Sequence, residues 1–100
     1  MAHCPYELLQ DIGGELDKIR ALAGVTERKP GIFYIKSDGF LHFHIKGEER
    51  WADVKPLPRG KWLGIPLPFK PSASKRAAFL KAVAEAHRSY TGLKSGRKSV

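Results

Sequence analysis

The chain has 100 residues, 42% hydrophobic and 28% charged, enough for one small core and too apolar to be disordered throughout. Its 18 Lys and Arg outnumber 10 Asp and Glu for a net charge of +8, and the excess is one-sided: residues 1–53 carry seven cations against nine acids, residues 54–100 eleven against Glu85 alone. No apolar run approaches the roughly eighteen residues of a bilayer span, the single Cys4 rules out an internal disulfide, and the start lacks the apolar stretch of a secretory signal, which together predict a reducing, cytoplasmic setting.

The first predicted element is a helix from about Pro5 to Ala23. Leu9, Ile12, Leu16, Ile19 and Ala23 recur at spacings of three and four and share one face, with Glu7, Asp11, Glu15 and Lys18 on the other. Gly13 and Gly14 cost this helix about 2 kcal/mol relative to alanine, enough to allow a break or kink at that point. Gly24 is placed as its stop, with Val25 folding back on the last turn.

From Gly31 to Leu67 the period changes to two, and β-branched and aromatic runs alternate with turn residues. Strands are predicted at Ile32–Lys36, Phe40–Ile45, Arg50–Lys55 and about Lys61–Pro66. A three-residue loop, Ser37-Asp38-Gly39, would set Phe33 opposite Phe43 and Ile35 opposite Leu41. A four-residue turn, Lys46 to Glu49, would set His42 opposite Asp53, Phe43 opposite Ala52, His44 opposite Trp51 and Leu41 opposite Val54. One face is then Phe33, Ile35, Leu41, Phe43, Ala52 and Val54, which is the core. The reverse face holds Ile32, Tyr34, Phe40, His42, His44, Trp51 and Asp53, too apolar to stand bare, so a cover is expected, most simply a second copy in a homodimer.

After the proline-punctuated Pro66 to Pro71, a last helix is predicted to start near Ser72 or Ser74 and to end at Gly92, with Phe79, Val83, Ala86 and Tyr90 as its apolar stripe. The fold class expected is α+β: N-terminal helix, antiparallel meander of three to four strands, and C-terminal helix on the same sheet face. Residues 1–92 would form one domain and residues 93–100 a flexible basic tail. The run Ile19-Arg20-Ala21-Leu22-Ala23-Gly24-Val25-Thr26-Glu27, the hairpins, Lys61-Trp62-Leu63 and a final helix reaching Ser89-Tyr90 resemble the layout of small MmcQ/YjbR-like (CyaY-like) proteins. That resemblance implies an α+β shape of the kind compared with winged nucleic-acid-binding domains, and it implies no catalytic residues.

Two candidate sites emerge. The basic back half offers Arg59, Lys61, Lys70, Lys75 and Arg76, with Trp51, Trp62 and Phe69 near enough in sequence to stack bases, and Arg59-Gly60-Lys61 placed like a wing tip. Trp62 itself is expected in the core. The other candidate is the polar sheet face of Tyr34, His42, His44, Trp51 and Asp53. His42 and His44 project the same way from one strand, and Asp53 can hold a ring N–H as metal-site and acid–base arrangements require. Cross-strand pairs satisfying one another are the plainer account of that face. Too few ligands are visible to define a metal site, the remaining donors being His3 and Cys4. The function expected first is therefore a non-enzymatic module binding polyanions, nucleic acid foremost, without a cofactor. The alternative is a small-ligand or metal-binding protein using Tyr34, His42, His44 and Asp53.

Overall fold

The computed structural model describes residues 2–95, and the side chains of residues 3–92 among them. In chain order it contains β1 (Ala2–His3), a 3-10 helix (Tyr6–Ile12), α1 (Gly13–Arg20), β2 (Val25–Lys29), β3 (Ile32–Ile35), β4 (Asp38–Lys46), β5 (Glu49–Val54), β6 (Leu63–Pro66) and α2 (Ala73–Ser95). Five strands form one open antiparallel sheet in the order β2-β3-β4-β5-β6, and β1 pairs with β4 beyond the end of β3. No described helix is long and apolar enough to cross a membrane.

The apolar stripe of the first helical region is as its spacing predicts: Leu9, Ile12, Leu16 and Ile19 are all buried. The single helix expected from Pro5 to Ala23 is instead two pieces, a 3-10 segment and then an α-helix that begins at Gly13. The glycine pair is where the change falls, since two such residues weaken a continuous α-helical ladder. The helix closes at Arg20, which leaves Ala23 exposed, and Gly24 adopts φ +79 just ahead of β2.

The β4–β5 register is the expected one, with Leu41 opposite Val54, His42 opposite Asp53, Phe43 opposite Ala52 and His44 opposite Trp51. Lys46 and Glu49 also pair, so the turn is only Gly47-Glu48, with Gly47 at φ +61. The β3–β4 hairpin departs from expectation. Its link is Lys36-Ser37, with Ile35 opposite Asp38 and Phe33 opposite Leu41, and the register shifts by one residue in between. The shift reverses the side of Phe40, expected on the open face. Phe40 is fully buried, with its ring edge-on to Tyr90 and His87 of α2. A bulge allows Phe40 and Leu41, adjacent in sequence, both to enter the core.

Beneath α2, the stripe Phe79, Val83, Ala86 and Tyr90 joins Phe33, Ile35, Leu41, Phe43, Ala52, Val54 and the α1 residues in one buried cluster. Ser72 caps α2 by accepting the Lys75 amide at 3.2 Å. The helix does not stop at Gly92, as expected, but continues to Ser95. One glycine in a surface turn costs about 1 kcal/mol, too little to end a helix whose earlier turns are anchored in the core. Residues 96–100 of the expected tail lie outside the described residues.

Candidate functional site

Strand alternation aims His42 and His44 of β4 away from the core, and Asp53 of β5 joins them from the position opposite His42. Asp53 Oδ2 lies 3.0 Å from His44 Nε2 and 3.5 Å from His42 Nε2. The shorter contact sets the Asp53 carboxylate against the Nε2 edge of the His44 ring. His44 Nδ1 and His42 Nε2 are both buried and have no hydrogen-bond partner. Such atoms are rare in folded proteins, because an unpaired buried polar group costs about 1–3 kcal/mol.

The third imidazole comes from β1. His3 pairs directly with His44, and the Cys4 amide donates to the Phe43 carbonyl at 2.9 Å, which extends the pairing by one residue. The His3 ring stacks on His44 at 5.2 Å between centroids and lies 5.1 Å from His42, while the His42 and His44 rings are edge-on at 4.4 Å. One donor atom from each of the three lies within 4.8 Å of the others. Nitrogens on a tetrahedral zinc at about 2.0–2.1 Å stand about 3.3 Å apart, so an ion requires the set to contract by about 1.5 Å. His3 is exposed on its short strand and has room to supply that movement.

Trp62, expected in the core, is instead 41% exposed and stacks on His42 with centroids 4.3 Å apart. Its indole lies against Gly39, where a Cβ would meet it in van der Waals contact at 3.4 Å. Lys55 Nζ stands 4.5 Å from the indole centroid and donates to Asp38 Oδ1 at 2.8 Å. Trp51 leans on His44 at 5.5 Å. Burial pushes the His42 pKa down, the neighbouring His44 and His3 push it further the same way, and Asp53 opposes them. The outcome is a neutral ring, the form that ligates metals.

Of the polar face predicted from sequence, His42, His44, Asp53 and Trp51 come together. Tyr34 does not join their row, because the β4 bulge sets it opposite Gly39. It carries the Arg28 guanidinium 4.4 Å from its ring centroid and borders a cavity shared with His42. His3 is the residue whose part was missed. Its imidazole was visible, but a two-residue strand has no periodicity to place it.

The basic set is divided. Arg59 and Lys61 lie in the link before β6, whereas Lys70, Lys75 and Arg76 follow it, so a strand of four residues, about 13 Å, separates the groups along the chain direction. Arg59 takes φ 55 and its amide donates to Asp38 Oδ2, while Arg76 reaches the Pro71 carbonyl and stands 3.5 Å from Glu15. Arg59, Lys61, Lys70 and Lys75 are exposed.

No family model, curated protein or solved structure matches this chain.

Proposed function

We propose that this protein is a small module that binds a divalent first-row transition metal through His3, His42 and His44. The observation that carries the proposal is the pair of buried nitrogens that make no hydrogen bond, His44 Nδ1 and His42 Nε2, beside a third imidazole. Three imidazoles suit zinc and its neighbours, and they leave a coordination position for an outside ligand. Asp53 is the positioning residue: its carboxylate lies 3.0 Å from His44 Nε2 and braces that ring, as carboxylates do behind metal-ligating histidines. Trp62 walls the other face of His42. We assign no reaction to the module. The division of the basic side chains between the two ends of β6 is why the histidine set, and not the polyanion surface, takes first place.

Zinc titration tests this. A ligand that binds only the folded state at about 100 times its Kd adds about 2.7 kcal/mol of stability, which a domain of this size registers as a rise in Tm of about 10 °C or more. Tryptophan emission should change in the same titration because Trp62 stacks on a ligand. His3→Ala, an exposed change outside the core, should weaken zinc at least tenfold, and the double variant His42→Ala with His44→Ala should abolish the response. An unchanged Tm at millimolar zinc would refute the metal reading. Steeply salt-dependent binding of a generic oligonucleotide in that event, weakened by Arg59→Ala with Lys61→Ala, would put the polyanion surface in its place.

A further inference from the structure

A cavity of about 380 Å³ opens directly beside the histidine set, bounded by His3, His42, Arg28, Lys29, Ile32 and Tyr34. Its volume lies at the small end of the range that holds organic ligands, about 300–1,000 Å³. Two walls are cationic, two are the imidazoles of the proposed centre, and Ile32 with the Tyr34 ring supplies apolar surface. None of the bounding residues is acidic. Arg28 Nη2 donates to the Lys36 carbonyl at 2.9 Å and the guanidinium lies over Tyr34, which orients the group and leaves N–H donors beyond that one bond. β2, with the burial pattern of an edge strand, brings Arg28 and Lys29 to this wall through its pairing with β3.

From this arrangement we infer that the cavity receives a small organic anion with an apolar body, and that the anionic oxygen completes the coordination of the ion held by His3, His42 and His44. The inference rests on the metal reading above. The ion and the two cations flank the position of the anionic head, and Ile32 and Tyr34 take the apolar part. An oxygen anion between a metal and a guanidinium is stabilised from both sides, whereas a neutral ligand of the same shape gains only the apolar contact. Carboxylates and phosphonates share the required chemistry.

Cobalt(II) makes both layers visible, because its visible absorption reports the number and type of ligands. Cobalt is titrated first, and then phenylacetate, phenylphosphonate or the uncharged phenylacetamide is added to the loaded protein. The expected result is cobalt binding by the wild type, a spectral change with one or both anions and none with the amide. The double variant Arg28→Gln with Lys29→Gln should retain cobalt binding and lose anion affinity by about tenfold or more. The stronger of the two anions identifies the head group. Failure to bind cobalt would remove the metal reading and this inference together. Cobalt binding with no response to either anion at about 10 mM would overturn the inference alone, since such a site would have no useful affinity. Equal anion affinity in the wild type and the double variant would overturn it as well, because the anion would then sit elsewhere.

Discussion

Replacing Arg50 with Met should be among the most damaging single changes in this protein. The Arg50 side chain has no solvent exposure, and its five N–H groups meet five acceptors: Nε donates to the Leu67 carbonyl at 2.8 Å, Nη1 to the Leu8 carbonyl and Asp11 Oδ1 at 2.7 Å each, and Nη2 to the Pro68 carbonyl at 2.9 Å and Asp11 Oδ2 at 3.1 Å. The guanidinium also lies 4.4 Å from the Phe69 ring centroid. One side chain of β5 thus ties the 3-10 helix to the link between β6 and α2. Methionine fills similar volume but leaves three carbonyls without this donor and Asp11 with the Lys70 amide and solvent. Removing one partner of a buried ion pair costs about 3–5 kcal/mol, and with Asp11 partly exposed the low end applies, against a total of about 5–15 kcal/mol for a domain of this size. Urea unfolding followed by circular dichroism should show a midpoint lower by roughly 2 M, and Tm should fall by about 12 °C or more. Arg50→Lys, with three donors in place of five and no planar fork, should fall between the two. A loss below about 1 kcal/mol for Arg50→Met would refute the account, because it would mean that the five bonds do little more than replace water.

Asp38 gives the protein an acid-sensitive contact: burial pushes its carboxyl pKa up, but bonds from Lys55, Tyr90 and the Arg59 amide outweigh this and hold it at about 2. The folded value lies below the unfolded one, so the contribution, at most about 2 kcal/mol, is complete above about pH 5 and is lost as pH falls toward 2. Urea midpoints measured from pH 2 to 6 should therefore slope less for Asp38→Asn than for the wild type, and parallel slopes would contradict the assignment. Gly39→Val should drive branched methyls into the indole that a bare Cβ would already approach to 3.4 Å. In a Trp51→Phe background, the emission of Trp62 should then move to the red as the ring leaves His42, and an unmoved spectrum would refute the packing described.

The pairing of β4 with β5 is legible in the sequence because Leu41, Phe43, Ala52 and Val54 alternate cleanly with polar partners and the intervening turn admits only one register with all four inside. The same rule misleads at β3–β4. There Phe40 and Leu41 are consecutive and both apolar, which strict alternation must split between faces, whereas a bulge admits both to the core. Val25–Lys29 falls outside the predicted strands because four of its five residues are polar or charged, yet an edge strand needs burial on only one side and can carry Thr26, Arg28 and Lys29 in water. Trp62 was misplaced for a related reason: aromatic size argues for the core, but its position ahead of β6 puts the ring over Gly39 and His42. Two of the three histidines and their carboxylate were therefore readable, because they lie on strands with a period. His3 was not, since its place depends on β1 docking along β4, a contact between residues about forty positions apart.

The sheet is open, and its two borders are unequal templates for a further strand. β2 carries Glu27, Arg28 and Lys29 and breaks register between Glu27 and Lys29, features that discourage a growing sheet from another chain. β6 is only four residues long and ends in Pro66, which has no N–H to offer, yet it is flanked by uncovered apolar surface: Leu57 is 46% exposed, Trp62 41% and Leu63 51%. Aggregation of partly unfolded protein would therefore begin at the β6 border, where brevity and one proline are the main safeguards, and a lysine in place of Leu63 is the simplest change that would suppress it.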